Sequence, residues 1–280
     1  MERTLISQTP QKSGKTVKVC GWVKSRRDHG KLVFIDLRDR SGILQVVGDE
    51  KLGDLKNEYV VEIQGTVRRR PEKMANPNLE TGTVELEAKR VEILSKAQSL
   101  PFDMGGDTLN LELPTLLDWR GLTLRHPKQK AIFKLQEVVI DAFREGLKKK
   151  DFTEFQSPVI IAQGAEGGAE VFEVKYFDHK AYLAQSPQFY KQILVGVYER
   201  VFTVNKTLRS EPSVTTRHLT EVTTLDAEFG FIDSWEELMD LAEYVIKYIF
   251  DRVGDECREY LEIFEASVPK VGKSIPRIKL

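Results

Sequence analysis

The sequence of 280 residues contains only two cysteines, Cys20 and Cys257, which lie far apart and form no C-x-x-C pair. Two isolated thiols argue against a disulfide framework or a zinc site and fit a reducing compartment. No apolar run approaches the roughly 18 residues that a transmembrane helix needs. The N-terminal segment MERTLISQTPQKSGK also lacks the apolar core of a signal peptide. We therefore expect a cytoplasmic protein with no membrane partner.

Net charge is nearly absent as well, because 42 Lys and Arg residues stand against 43 Asp and Glu residues, giving −1. Overall charge therefore predicts no polyanionic partner. Residues 1–40 differ, with ten basic and four acidic side chains and hence a local excess of +6. This basic end indicates a local anion-binding face, although a solvated, lysine-rich surface has the same composition.

The length and a hydrophobic content of 41% leave room for about two globular domains. Residues 16–94 contain five strand-like segments with glycine-rich turns and no long helix, which predicts a small closed barrel. An SH3-like barrel shares this pattern, but the long strands and the broad loop at 70–82 favour an OB-fold. Residues 95–125 contain Pro and Gly-Gly without a clear period and indicate a linker or hinge.

Helical periodicity begins after His126 and predicts a helix that ends near Leu147. Its apolar stripe consists of Ile132, Leu135, Val139, Ala142 and Phe143. The following residues predict a strand broken by Pro158, an irregular stretch at 161–172, and strands near 181–185 and 199–209 that enclose a helix. Ser234 and Glu237 form an S-x-x-E capping box, which predicts the start of another helix. The stripe of that helix consists of Leu238, Leu241, Val245, Tyr248 and Ile249.

Two predicted strands within the segment LRSEPSVTTRHLTEVTTLDAEFGF (208–231) carry charges where a core would bury Val, Ile or Phe. Side chains alternate between the faces of a strand. One face therefore carries Thr207, Arg209 and Glu211 from the first strand and Thr224, Asp226 and Glu228 from the second. A solvated antiparallel sheet face explains this pattern. A nucleotide site also explains it, because the loop residues Arg217 and His218 could fold over a phosphate on that face.

Several segments, in order, resemble the class II aminoacyl-tRNA synthetases, and more narrowly the aspartyl and asparaginyl enzymes. R-x-E, a loop with R-H-L and the strand LDAEFGF resemble motif 2, and KKDFTEFQSPVI resembles motif 1. GAEGGAEVFEVKYF resembles the loop that closes on the amino acid, and AQSPQFYKQ resembles the aspartate-binding strand. GWVKSRRDHGKLVFIDLRDRSGILQVV resembles the anticodon-binding OB-fold. The resemblance covers residues 16–280.

The resemblance implies a role for each matching residue. Arg209 would bind the α-phosphate of ATP and act in catalysis, and Glu211 would accept from the adenine amino group. The motif 2 loop on ATP would contain Arg217, His218 and Leu219. The aspartate site would contain Glu166, Ser186 and Asp226 around the ammonium, and Gln188 and Lys191 at the side chain. The anticodon face would contain Arg26, Arg27, His29, Phe34 and Gln45. Pro158 would lie in a homodimer interface.

The implied reaction is ATP-dependent activation of L-aspartate to aspartyl-adenylate, followed by transfer to tRNA(Asp). Arg209 and Mg²⁺ would offset charge at the α-phosphate, so no protein nucleophile is needed. Lys191 favours aspartate over asparagine, because an amide would leave its charge unpaired in a desolvated pocket. His29 resembles the residue found at this position in those family members that charge both tRNA(Asp) and tRNA(Asn). Phe34 is either a base-stacking aromatic or a barrel-core residue.

We therefore expect an α+β protein with an N-terminal OB-fold β-barrel (1–95), a hinge (96–125) and part of a class II antiparallel-sheet catalytic domain (126–280). Motif 3, the Mg²⁺ ligands and a second arginine for the substrate side chain are expected beyond Leu280, so we expect inefficient aspartate activation by the 280 residues alone. The alternatives are an asparagine–tRNA ligase, against which Lys191 argues, and a truncated tRNA-binding module without catalysis.

Overall fold

The computed structural model describes residues 1–30, 32–105, 108–164, 171–210, 215, 218–272 and 274–278. They form two compact units, Met1–Glu112 and Leu113–Leu280. The residues predicted as a hinge, 96–125, are divided between these units. In the described ranges, no helix is long and apolar enough to cross a membrane.

The first unit contains a closed five-stranded barrel, as the sequence predicts. Its strands are β1 (Thr16–His29), β2 (Leu32–Asp39), β3 (Gly42–Gly48), β4 (Val60–Arg69) and β5 (Val84–Ser95). Their order around the barrel is β1-β2-β3-β5-β4. The pairing of β3 with β5 is parallel, and the other four neighbouring pairs are antiparallel. Short 3-10 turns occur at Ile6–Gln8, Pro10–Lys12, Glu50–Leu52 and Glu72–Met74.

The barrel core follows from the alternation of side chains along each strand. In β2, Val33, Ile35 and Leu37 are buried among the core residues, whereas Phe34 and Asp36 lie on the outer face. The N-terminal segment adds Ile6 to this core. Four donors from nearby residues fix the buried carboxylate of Asp39: Arg3 Nη2 at 3.4 Å, Ile6 N at 3.1 Å, Ser41 N at 2.7 Å and Ser41 Oγ at 2.6 Å. These bonds hold the N-terminal segment against the barrel.

The second unit combines helices with two small sheets. Its helices are α1 (Leu113–Asp118), α2 (Arg120–Thr123), α3 (Pro127–Lys148), α4 (Gln188–Tyr198), α5 (Glu236–Glu256) and α6 (Arg258–Ile263). Its strands are β6 (Thr153–Glu154), β7 (Ile160–Ile161), β8 (Glu173–Tyr176), β9 (His179–Leu183), β10 (Arg200–Leu208) and β11 (Glu221–Phe229). Among the described residues, one sheet has the order β11-β10-β6 and the other β7-β9-β8.

Helix α3 begins where the sequence predicts, directly after His126, and packs against the β11-β10-β6 sheet. The imidazole of His126 caps its N-terminus by accepting from Lys128 N, and Pro127 occupies the first turn, where no intrahelical donor is lost. Phe143 and Leu147 of α3 pack with Phe202 of β10 in one buried cluster, which residues of α5 and β11 complete. The apolar face of the β10–β11 sheet therefore faces the two long helices.

Several sequence predictions need correction at the level of single elements. The predicted strand around Pro158 is two short strands, β6 and β7, which belong to different sheets. Strand β8 lies where the sequence predicts no strand, because its four residues gain their order from pairing with β9. Helix α5 begins at Glu236 with Trp235 at its N-cap. The Glu237 carboxylate of the predicted capping box accepts from Ser234 N at 3.4 Å and from Asp233 N at 2.8 Å. Ile132 of the predicted apolar stripe is 47% exposed.

Candidate functional site

The charged strands form one antiparallel pair whose two faces differ, as the alternation predicts. Phe202 pairs with Ala227 and contributes to the apolar face, whereas Thr203 pairs with Asp226 on the opposite one. The polar side chains on that face are Thr203, Asn205 and Thr207 from β10 and Thr224, Asp226 and Glu228 from β11, and Val201 and Val222 share the face with them. The three polar β10 residues are at most 7% exposed. This face is therefore not the solvated sheet surface that composition alone allowed.

In the described part of the chain, Lys191 of α4 is the one basic residue that forms ion pairs with this polar face. Its Nζ lies 3.0 Å from Asp226 Oδ1 and 3.3 Å from Glu228 Oε2, and its side chain is 14% exposed. Lys191 lies in the first turn of the helix, where the dipole disfavours a positive charge. The two carboxylates of β11 offset that cost and the desolvation of the ammonium.

These carboxylates also determine the protonation of Lys191. Burial alone lowers the pKa of the ammonium, but the hydrogen bond to Asp226 and the charges of Asp226 and Glu228 outweigh it. The pKa of Lys191 is therefore raised above its usual value, and the side chain is a cation at neutral pH. Lys191 is therefore not an unpaired charge in a desolvated pocket, because two internal carboxylates already pair with it.

Ser186 and Gln188 lie at the start of the helix that carries Lys191. Ser186 Oγ accepts from Gln188 N at 3.2 Å, which fixes the backbone where β9 leads into α4. Both side chains are partly buried, and the preceding Gln185 is fully buried. The structure therefore positions Ser186 just before α4 and Gln188 and Lys191 in its first turn, with Asp226 at the Lys191 ammonium. Glu166, the fourth predicted member of the aspartate set, lies outside the described residues.

The predicted ATP residues fall at the far end of β10 and in the loop after it. Arg209 follows the last residue of β10 instead of lying within it, although its N–H still donates to Thr220 O at 2.9 Å. Its side chain is exposed, as are those of His218 and Leu219. His218 Nδ1 lies 2.7 Å from Thr215 Oγ1. Glu211 and Arg217 lie outside the described residues. Pro158, the predicted interface residue, is exposed.

A second candidate site is a pocket of about 580 Å³ on the outer face of the barrel. It is lined by Arg27, His29, Leu32, Phe34, Asp36, Gln45, Val47, Arg70, Pro71, Met74, Asn76, Leu79 and Glu85. Four predicted residues are therefore brought together there. Arg27 donates to Asp36 at 2.9 Å, and the Gln45 amide donates to Glu85 at 2.8 Å. The pocket thus offers an aromatic surface and directed polar groups, which suit a planar heteroaromatic base.

Phe34 lies on the outer face of β2, so the core alternative for this residue is wrong. Its ring meets His29 edge-on with a centroid distance of 5.6 Å. It pairs across the strands with Arg27, whereas Arg26 pairs with Ile35. Arg26 therefore points to the other face of β1, where it forms an ion pair with Asp28 at 2.9 Å. The structure separates Arg26 from the other four predicted barrel residues.

Sequence reasoning left three acidic residues of these sites without a role. Asp36 and Glu85 hold the polar side chains of the barrel pocket, and Glu228 is the second partner of Lys191. The sequence does contain a signal for Glu228, because strand alternation places it on the same face as Asp226. In the described ranges, no group of three or more His, Cys, Asp or Glu side chains could hold a metal ion.

Family models match both units of the chain. A model of class II tRNA synthetases (D, K and N) matches residues 112–280, and a model of OB-fold nucleic acid binding domains matches residues 17–94. The aspartate–tRNA(Asp/Asn) ligase of Deinococcus radiodurans is 40% identical over the whole chain and 63% of its own length. The aspartate–tRNA(Asp) ligase of Pyrococcus abyssi is 39% identical over 96% of the chain and 62% of its own length. The chain thus spans about 63% of the curated relatives it matches.

Solved structures agree with the sequence matches. The asparaginyl-tRNA synthetase of Pyrococcus horikoshii complexed with asparaginyl-adenylate has a TM-score of 0.83 and 31% identity, over 94% of this chain and 61% of that one. The aspartyl tRNA synthetase of Entamoeba histolytica has a TM-score of 0.77 and 25% identity, over 97% of this chain and 59% of that one. The resemblance predicted from the sequence is confirmed: the chain belongs to the class II tRNA synthetases of the aspartate, lysine and asparagine group.

Proposed function

We propose that this chain carries the amino-acid site, part of the ATP site and the anticodon-binding barrel of an aspartate–tRNA ligase. The reaction is activation of L-aspartate by ATP to aspartyl-adenylate, followed by transfer to the 3′ end of tRNA(Asp) and, through the barrel residue His29, of tRNA(Asn). The observation that carries this proposal is the partly desolvated ammonium of Lys191 on the polar face of the β10–β11 sheet. The curated relatives named above are aspartate–tRNA ligases, which supports the same choice.

The amino-acid site offers groups of both charge signs to a zwitterionic substrate with an acidic side chain. Lys191 is its cation, and Asp226 and Glu228 are its carboxylates. Asp226 can accept from the substrate ammonium while Lys191 donates to the side-chain carboxylate. Gln188, one turn before Lys191, adds a neutral amide that can donate to the same carboxylate. Arg209 would bind the α-carboxylate or the α-phosphate.

Catalysis would depend on positioning and electrostatics and would need no protein nucleophile. The aspartate α-carboxylate attacks the α-phosphorus of ATP, and pyrophosphate leaves. The exposed Arg209 guanidinium can donate two parallel hydrogen bonds to oxygens of the α-phosphate and stabilise the charge that develops there. His218 and Leu219 would contact the nucleotide from the loop between β10 and β11. Mg²⁺ would accompany ATP as a counter-ion of its phosphates.

The barrel pocket supports single-stranded RNA as the second partner. An anticodon base can stack on Phe34 while Gln45 and Glu85 meet its edge, and Arg27 can reach a phosphate. We propose the cytoplasm as the compartment, where Cys20 and Cys257 would remain the free thiols seen in the structure. We propose a homodimer as the assembly, in which Pro158 and the exposed Val159 and Ile160 beside it would be covered.

Charging assays with the protein that carries this chain test the proposed function. It should attach aspartate to tRNA(Asp) transcripts and, with lower efficiency, to tRNA(Asn) transcripts, and should leave tRNA(Lys) uncharged. Replacing the anticodon of tRNA(Asp) with that of tRNA(Lys) should abolish charging, because the barrel would no longer read it. Charging that is indifferent to the anticodon would contradict the role proposed for the barrel. Charging with asparagine in place of aspartate would contradict the role proposed for Lys191.

An asparagine–tRNA ligase is the second candidate, favoured by the structural similarity to asparaginyl-tRNA synthetases. Lys191 argues against it, because an ammonium pairs better with a carboxylate than with an amide. A tRNA-binding module without catalysis would give tight tRNA binding and no amino-acid-dependent exchange of pyrophosphate into ATP. Exchange with each amino acid therefore separates the three candidates.

A further inference from the structure

The ammonium of Lys191 has three N–H donors, and the structure assigns acceptors to two of them. Asp226 Oδ1 lies at 3.0 Å and Glu228 Oε2 at 3.3 Å. Among the residues that the structure describes, no third acceptor lies within hydrogen-bond distance. Within the described part of the chain, one N–H of Lys191 therefore has no assigned acceptor and can donate to a ligand on the polar face.

The spacing of the two acceptors explains why the third N–H of Lys191 has a fixed direction. Asp226 and Glu228 are two residues apart on one strand, so their Cβ atoms lie about 7 Å apart on the same face. An ammonium between them is held from two sides, which fixes both its position and its rotation about the last bond. A lysine held by one carboxylate alone can still rotate, since its stem contains four methylene groups and its head is a point charge.

We propose that Glu228 is a positioning residue of the aspartate site, which together with Asp226 orients Lys191 so that its third N–H meets the substrate's side-chain carboxylate. This inference rests on the proposed function, because it assumes that the ligand is an amino acid with an acidic side chain. Glu228 has no contact with the substrate in this arrangement and acts through Lys191. Pre-orientation lowers the entropy lost on binding and so strengthens ground-state binding of aspartate.

Glu228 is better suited than Asp226 to a purely positioning role. Its side chain is 34% exposed and its contact is the longer one, whereas that of Asp226 is 21% exposed and shorter. Asp226 is the proposed acceptor of the substrate ammonium and so has two functions in the site. The raised pKa of Lys191 fits the same arrangement, since both carboxylates favour the charged ammonium.

The test compares Glu228→Ala and Glu228→Gln by aspartate-dependent exchange of pyrophosphate into ATP. Glu228→Ala should raise KM for aspartate about tenfold, with KM for ATP and kcat changed less than twofold. Glu228→Gln should recover most of this loss, because its amide oxygen still accepts from Lys191. Glu221→Ala is the matched control, since Glu221 lies on the same strand and pairs with Lys206 at 3.0 Å, but both side chains are more than half exposed. It should behave as wild type.

Other outcomes would overturn the proposal in distinguishable ways. If both Glu228 variants lower KM for aspartate, Glu228 competes with the substrate for Lys191 and does not position it. An unchanged KM in Glu228→Ala would remove Glu228 from the site. Equal losses for aspartate and ATP, with a lower melting temperature, would show a structural role only. If the wild-type protein itself shows no aspartate-dependent exchange, the proposed function fails before this inference is reached.

Discussion

Replacing Lys191 with methionine removes the ammonium but keeps an unbranched side chain of similar length on α4. The lost interaction with an aspartate carboxylate is a charge-assisted hydrogen bond, which contributes about 1.5–3 kcal/mol. At about 1.4 kcal/mol per factor of ten, kcat/KM for aspartate should fall about 10- to 150-fold. The ATP residues lie at the other end of β10, so KM for ATP should stay within about twofold.

The folded protein should also lose stability in Lys191→Met, because Asp226 and Glu228 would then face each other without their shared cation. Since all three side chains retain some exposure, we expect about 1–3 kcal/mol instead of the larger cost of a fully buried pair. Urea denaturation measures this loss, and exchange of pyrophosphate into ATP measures the catalytic one. Both are compared with Lys206→Met, which removes an exposed lysine from the same strand pair.

The two measurements together separate a role in binding from a role in folding alone. A fall in kcat/KM for aspartate, measured well below the denaturation midpoint, supports Lys191 as the contact to the substrate side chain. The reasoning is refuted if Lys191→Met activates aspartate as well as Lys206→Met does. It is also refuted if the ATP and aspartate parameters fall by the same factor.

Three further predictions address RNA binding by the barrel, the attachment of the N-terminal segment to the barrel, and the pH dependence of stability. Phe34→Ala should weaken binding of tRNA(Asp) by about 1–3 kcal/mol in filter binding and leave aspartate-dependent exchange unchanged; unchanged tRNA affinity would show that the pocket on the barrel is not the RNA site. Asp39→Ala should destabilise the first unit by about 3 kcal/mol in urea denaturation, because the buried carboxylate accepts from four donors. A loss below about 1 kcal/mol would contradict that account. Because the pKa of Lys191 is raised from 10.5, its contribution to stability is fully present below pH 10.5 and is lost as pH rises above that value. The difference in unfolding free energy between wild type and Lys191→Met should therefore be level from about pH 7 to about pH 10 and shrink only above it; a decline that begins near neutral pH would contradict the raised pKa.

The barrel could be predicted from the sequence because its signals are local. Alternation in β2 buries Val33, Ile35 and Leu37 and leaves Phe34 and Asp36 outside, and a single strand already contains that pattern. The same alternation predicts the polar face of β11, where Asp226 and Glu228 are two residues apart. Helix α3 follows from its apolar spacing and from Pro127 at its first position.

The contacts between distant segments could not be predicted from periodicity. Lys191 and Glu228 are 37 residues apart in sequence and meet only because α4 lies over the polar face of the sheet. The separation of Arg26 from Arg27 depends on the pairing of β1 with β2, which assigns the two neighbouring arginines to opposite faces. Strand β8 lacks its own signal, since its four residues gain their order from pairing with β9.

The most direct test of the central claim is exchange of labelled pyrophosphate into ATP by the protein that carries this chain, with aspartate, asparagine, glutamate and lysine in turn. Our account predicts exchange with aspartate that exceeds exchange with asparagine by at least about 100-fold, because the ammonium of Lys191 meets a carboxylate in one case and an amide in the other. Equal or greater exchange with asparagine would contradict the assignment of Lys191 and with it the proposed function.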